Sequence, residues 1–151
     1  MGTQQLLLIV LGVIIVGIAI AVGITIFNNQ AFNSNQQAVA QENNTYASMV
    51  LQWWKTPVSQ GGHGQGTLIA ADAALISGWV GFGGAANSVL TTDSGKYTVT
   101  SATAGGTSVI LTACGTETRA SAYPKVVTTV NLATSTISSV ASTDANGNPT
   151  D

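Results

Sequence analysis

LLLIVLGVIIVGIAIAVGITIF, residues 6–27, is the stretch that decides the architecture of this chain. It runs for 22 residues without a charged side chain, and its one hydroxyl group belongs to Thr25. A helix of that length spans roughly 33 Å, which is enough to cross the hydrocarbon core of a bilayer. The globular part of the protein must therefore be built from the residues that follow.

Three interpretations of this apolar segment compete. A signal peptide has a basic start, a shorter apolar core and a small-residue cleavage site, and residues 1–27 lack the basic start. An ordinary membrane anchor is oriented by flanking Lys and Arg, but the first such residue here is Lys55. The missing basic flank favours a third interpretation, in which a basic leader has been removed and Met1 is the mature N-terminus. An initiator methionine remains the alternative.

The composition excludes several classes of function. Charged residues make up 7% of the chain, and the net charge is −2. An average protein carries about 25% charged residues. We therefore expect no basic nucleic-acid surface and no nucleic-acid partner. The single cysteine, Cys114, excludes an intrachain disulfide, and its strand-like surroundings predict a small buried side chain without a redox or metal role.

A second, amphipathic segment follows the apolar one. No proline occurs before Pro57, so we expect one helix from about Thr3 to Trp54, roughly 80 Å long. Apolar residues recur along it at spacings of seven, which places them on one helical stripe: Phe32, Val39, Tyr46 and Trp53. Met49, Val50 and Trp54 are expected on the same side, and one of the two tryptophans should anchor a globular head.

No domain of this size can bury a helix of that length. We therefore divide the chain into an apolar helix half that lies in a membrane or in a filament core (1–27), an amphipathic helix half (28–54) and a β-rich head (55–151). One end of the helix must be covered by lipid or by other copies of itself.

The head is predicted to be mainly β-structure. Alternating apolar and polar residues indicate four strands, at 96–102, 107–114, 125–132 and 135–141, with turns at 103–106 and around Ala133-Thr134. Residues 55–66 read as a loop. Residues 67–86 fit either a helix or two short strands, and we favour a helix followed by an extended piece at 76–82. The expected fold class is α+β, a long N-terminal helix on a four-stranded antiparallel sheet.

This layout and the opening residues resemble the type IV pilin superfamily. In that family a basic leader is cleaved by a prepilin peptidase, and the mature chain often begins with Phe or Met, as Met1 would here. The helix has an apolar first half, and its second half packs on an antiparallel sheet. The resemblance implies the major pilin of an extracellular type IV pilus-like filament, assembled through helix packing for adhesion or motility.

The resemblance also implies partners and location. The chain would lie in the inner or cytoplasmic membrane before assembly and on the cell surface afterwards. Its partners would be copies of itself, the membrane, the prepilin peptidase and the pilus assembly machinery. The alternatives are a pseudopilin of a type II secretion-like machine and a monomeric membrane-tethered binding domain. A tethered enzyme ranks last.

The start of the helix departs from the family pattern. The family usually has a glutamate at the position of Gln5, where it is thought to pair with the N-terminal amine of a neighbouring subunit. Gln4 and Gln5 bring no charge, but their side-chain oxygens can accept hydrogen bonds from Met1 or from the free N–H groups of the first turn. Archaeal-type pilins also have glutamine near the start, so the resemblance points to an archaeal-like or divergent bacterial branch.

A stripe of small residues marks the apolar half. Gly17, Ala21 and Thr25 are spaced by four, and so are Ala19 and Gly23. Small residues at this spacing let helices approach closely in apolar surroundings. Glycine and alanine are also common in any membrane helix, which is the alternative explanation. The residues expected to act in assembly are Met1, Gln4, Gln5, Gly17, Ala21 and Thr25.

No catalytic, cofactor-binding or metal site is expected, and no enzymatic activity. His63 lies in GGHGQG, which we interpret as a flexible surface loop because no strand–loop–helix phosphate motif surrounds it. GFGGAA at 81–86 lacks the βαβ context of a dinucleotide fingerprint. The sequon at 43–45 falls on the predicted helix, so we ascribe it to chance.

The C-terminal DANGNPTD, residues 144–151, spaces oxygen ligands as a calcium loop does. Pro149 stands where such a loop needs glycine, and no glutamate follows. We therefore expect a solvated tail with an Asn-Gly turn.

Overall fold

The computed structural model describes residues 2–102 and 104–150. The expected α+β fold is confirmed, with five strands in the sheet rather than four. Helix α1 spans Gly2–Lys55 without interruption, as the absence of proline predicts, and a short 3-10 turn follows at Val58–Gln60. Helix α2 spans Asp72–Val80. The strands are β1 (Val89–Thr91), β2 (Gly95–Ala102), β3 (Ser108–Gly115), β4 (Tyr123–Asn131) and β5 (Thr136–Asp144).

The five strands form an antiparallel sheet in the order in which they occur along the chain. The four predicted strands correspond to β2–β5. The predicted turn at Ala133-Thr134 is confirmed, because the Asn131 carboxamide oxygen accepts hydrogen bonds from the N–H groups of Ala133 and Thr134, each at 3.1 Å. Strand β1 was not predicted, since three residues are too few to show an alternating pattern.

The second half of α1 packs on one face of the sheet, mainly over β3, β4 and β5. Its buried residues follow the predicted stripe: Phe32, Val39, Asn43, Ala47, Val50, Trp53 and Trp54. All of them except Phe32 and Asn43 join a hydrophobic core that includes Tyr97, Leu111 and Val126 of the sheet. The expectation for Met49 was wrong, because its side chain is 36% exposed. Two residues turn a helix by about 200°, so Met49 points away from Ala47 at the centre of the stripe.

The extended piece predicted at 76–82 is also wrong. Ile76, Ser77 and Val80 are buried residues of α2, at a spacing that fits one helical face. The helix ends at Gly81, whose φ of 91° is the left-handed conformation that glycine adopts readily. The N–H of Phe82 then turns back to the Ser77 carbonyl at 2.7 Å.

The apolar half of α1 makes no comparable contacts. The large apolar side chains between Leu6 and Phe27 are 48–71% exposed. Among the described residues, α1 is the one helix long and apolar enough to cross a membrane, and its apolar window is not buried within the chain. At 1.5 Å per residue, residues 2–27 extend roughly 40 Å beyond the head.

Candidate assembly surface of the N-terminal helix

The structure places the predicted assembly residues on the free part of α1. Gln4 and Gln5 lie in its first turns, and Gly17, Ala21 and Thr25 follow one another along one side. All five are exposed. Met1 lies outside the described residues. The Thr25 hydroxyl donates to the Ala21 carbonyl at 3.0 Å, so this polar group already has a partner when the stripe enters apolar surroundings.

The glycines of this half have no role inside the chain. A Cβ atom built on Gly12, Gly17 or Gly23 would meet no atom within 4 Å. Each glycine in a helix interior costs about 1 kcal/mol relative to alanine. No contact within the described chain offsets this loss, so any benefit of a small residue at Gly17 must come from a contact outside it.

The head holds the helix tightly at the point where the free half begins. Phe32 is 1% exposed, and the guanidinium of Arg119 lies 4.4 Å from the centre of its ring. The Asn35 side chain donates to the Ser94 carbonyl at 2.8 Å and accepts from the N–H groups of Thr116 and Glu117 at 3.1 and 3.3 Å. Helix and head are thus joined rigidly. These contacts of Asn35 could not be predicted from the sequence.

A carboxylate on α1 fixes the turn between β1 and β2. Glu42 accepts hydrogen bonds from the hydroxyls of Ser94 at 2.6 Å and Thr92 at 3.3 Å. Burial raises the pKa of Glu42, but the hydroxyl donors outweigh it and hold that pKa below its usual value. Burial, and then the Glu42 charge, raise the pKa of Tyr46. This cluster ties α1 to the edge of the sheet.

A buried polar chain links α1 to β4 and β5. Asn43 donates to the Thr128 hydroxyl at 2.8 Å, Thr128 and Ser139 share a hydrogen bond of 2.9 Å, and Ser139 donates to Asn44 at 2.7 Å. Asn43 is fully buried. The sequon at 43–45 is therefore inaccessible in the folded chain, in agreement with its chance origin.

The expected surface loop is present at 56–66, with a 3-10 turn inside it, but the His63 side chain is held in place rather than free. The His63 ring stacks on Trp54 with ring centres 4.7 Å apart and lies 4.9 Å from Trp53. Its Nε2 is 3.1 Å from the Asp72 carboxylate, and its Nδ1 accepts the Gly66 N–H at 3.1 Å. This geometry fits the neutral ring with its proton on Nε2. Both ring nitrogens are engaged, so neither is available as a base for an external substrate.

The same loop completes the end of α1. The N–H groups of His63 and Gln65 bond to the carbonyls of Trp53 and Trp54 at 3.0 and 3.1 Å. These are carbonyls that a helix end leaves without internal partners. In the sequence, the Trp53-Trp54 pair followed by a glycine-rich segment could have indicated that the loop folds back on the helix end. Asp72, the partner of His63, could be identified only from the fold.

The C-terminal segment is more ordered than a solvated tail, which corrects that expectation. Gly147 and Pro149 are buried, and a Cβ on Gly147 would collide with the Tyr123 ring. The expected Asn-Gly turn is present, with a φ of 62° at Gly147. The Asp144 carboxylate accepts the Asn146 N–H at 3.0 Å and lies 3.5 Å from Lys125.

The carboxylate of Asp144 is thus engaged within the chain. Burial raises the pKa of Asp144, but the backbone N–H donors and Lys125 hold it below its usual value. Within residues 2–102 and 104–150, no three His, Cys, Asp or Glu side chains cluster as a metal site requires. Cys114 is buried, as expected.

Comparison with known proteins gives no independent indication of function: no protein-family model, no curated protein and no solved structure matches this chain.

Proposed function

We propose that this chain is the repeating structural subunit of an extracellular helical filament of the type IV pilus kind. The observation that carries the proposal is the free half of α1, residues 2–27, whose 22-residue apolar run (6–27) is left exposed by the chain's own head. Such a surface is stable in lipid or among copies of itself and not in water. In the filament the apolar halves form the core and the heads lie outside.

The rigid junction supports a filament over a simple tether. A membrane anchor works equally well when a flexible linker separates it from its domain. Here Phe32, Asn35 and Glu42 fix the helix against two parts of the head, the β1–β2 turn and the loop between β3 and β4. A helical lattice needs every head in the same position relative to its core helix, and this junction provides that. The glycines of the apolar half give weaker support, because they would let neighbouring helices approach closely but are also common in membrane helices.

Before assembly the apolar half would reside in the membrane. The processing peptidase and assembly machinery remain partners by resemblance to type IV pilins. The proposed role is structural, and copies of the same chain are its main partner.

A single substitution tests the proposal. In a lipid anchor Gly17→Leu adds apolar surface and helix propensity, so the anchor is improved. In a packed core it separates neighbouring helices, and overpacking costs about 1–3 kcal/mol at each contact. We expect Gly17→Leu to remain in the membrane fraction while the surface fibres seen by electron microscopy of sheared cells disappear.

Gly17→Ala is the matched control, because it restores helix propensity with one methyl group, and its fibres should persist. If Gly17→Leu forms normal fibres, the stripe of small residues does not lie at the interface between helices. A complete absence of fibres in the unmutated strain would overturn the filament proposal in favour of a tethered domain, and short assemblies only would favour the pseudopilin alternative.

A further inference from the structure

The last strand of the sheet has an open edge. β5 pairs with β4 through nine consecutive residues, and no strand lies on its other side among the described residues. Residues 136–143 are all exposed. Such an edge presents backbone N–H and C=O groups that can pair with another strand.

This edge lacks the usual protection against pairing. Proteins protect long edge strands with proline, charged side chains or bulges. Residues 136–143 contain no proline and no charge, and their register with β4 runs without a shift. The opposite edge, β1, is only three residues long. Gln36 Nε2 donates a long hydrogen bond of 3.4 Å to the Ser142 carbonyl, and a strand that bonded to that carbonyl would have to displace it.

We propose that β5 pairs antiparallel with β5 of a second copy of this chain, about a twofold axis at Val140. Val140 is the central residue of the strand and is 63% exposed. In this register Thr136 lies opposite Asp144. The two Asp144 carboxylates, the only charges in the strand pair, are then roughly 27 Å apart.

The outer face of the sheet continues across this seam. One row of side chains crosses all five strands on the face opposite α1 and ends at the seam: Val89, Thr98, Thr112, Val127 and Val140. Pairing at Val140 would extend this uncharged β-branched row into the second copy. β-branched side chains directly opposite each other stabilise a sheet.

The symmetry decides which copies meet. The twofold axis of an antiparallel strand pair is perpendicular to the sheet, and α1 lies along the sheet face, so the axis reverses the direction of α1. The two helices would lie on the same face, roughly 14 Å apart when each is centred over β4, which leaves them room. Because they run antiparallel, both copies cannot belong to one polar filament or be inserted in one membrane in the same orientation. If the proposed function holds, the β5 contact therefore joins two filaments side by side in opposite directions.

Cross-linking of the full chain tests the strand pairing itself. The probe is a short bismaleimide that spans about 8 Å, on fibres or on detergent-solubilised protein, and the buried Cys114 does not compete. Val140→Cys should yield a species near twice the 15.3 kDa chain mass. Leu75→Cys on α2, which is 58% exposed, is the matched control and should stay monomeric.

The register is tested by mixing two variants. Ser138 and Ser142 lie opposite each other in the proposed pair, so a mixture of Ser138→Cys and Ser142→Cys should cross-link. Either variant alone should cross-link at least tenfold less, because its own thiols are about 13 Å apart. Efficient cross-linking of Ser138→Cys with itself would mean either in-register parallel pairing or a twofold axis at Ser138, and either result would overturn the proposal.

The two proposals fail in different ways. If unmutated fibres form but Val140→Cys stays monomeric, the strand pairing is wrong and the filament proposal stands. If no fibres form but the detergent-solubilised variants cross-link in the predicted register, the strand pairing stands without the filament.

Discussion

The two halves of α1 are the same helix in opposite surroundings. Residues 32–54 bury a stripe of seven side chains against the sheet, whereas residues 2–27 bury none. In water most of the stability of a helix comes from packing of an apolar face, so the first half lacks the packing that stabilises the second half. The difference shows that the head packs on half of its helix. The proposed function assigns the cover of the other half to lipid or to other copies of the chain.

Truncating the anchor of the packed half should have the largest effect on stability. Trp53 is 2% exposed in the core, so Trp53→Ala should lower the free energy of unfolding of the head by about 3–5 kcal/mol. Thermal melting in detergent and protease digestion would measure it. Trp79→Ala is the matched control, since Trp79 is 41% exposed on α2 and should cost far less. Equal melting of the two variants would show that Trp53 is not the anchor of the head.

This contrast is also where prediction from sequence worked best. Apolar spacing at Phe32, Val39 and Trp53 identified the packed face, and the charge-free run identified the free half. The alternation of apolar and polar residues predicted the sheet through strands β2–β5. These patterns are local, so they are visible without the fold.

Features that depend on contacts between distant residues were missed. Nothing near Asn35 indicates that its side chain will meet Ser94 and Thr116. The role of His63 depends on Asp72 and on the aromatic pair at the helix end. Ile76 lies in a helix that ends at Gly81. The short apolar run around Ile76 fits a helix and a strand equally well, so the choice between them could not be made from the sequence. The assembly residues remain a prediction, since no contact within the described chain tests them.

An intermediate effect on stability is expected from the buried series of hydrogen bonds that links α1 to β4 and β5. Asn43→Ala removes the hydrogen bond to the Thr128 hydroxyl, which keeps its bond to Ser139, so the expected cost is that of one buried hydrogen bond, about 0.5–1.5 kcal/mol. Asn44→Ala, at the exposed next position, should cost less. Denaturant unfolding of both variants measures the difference. A stability of Asn43→Ala equal to that of the parent would mean that the network adds no stability.

The smallest effect on stability is expected from a change in pH, which acts on the packed half of α1 and not on the free half. The pKa of Glu42 is lowered in the folded head. The Glu42 carboxylate therefore contributes stability above its unfolded-state pKa of about 4.5, and this is lost as the pH falls through the lower folded value. The loss should stay below about 1 kcal/mol, because the carboxylate keeps contact with water.

Melting of the head between pH 7 and pH 3 should show this loss, and Glu42→Gln should reduce it. Asp144, whose pKa is also lowered, contributes in the same direction and remains in the variant. Residues 2–27 contain no ionisable side chain, so no side chain of the packed apolar helices titrates. Fibres should therefore persist at a pH where the heads begin to lose stability. Fibres that dissolve before the heads are destabilised would show that contacts between ionisable groups of the heads, rather than the apolar helices, hold the filament together.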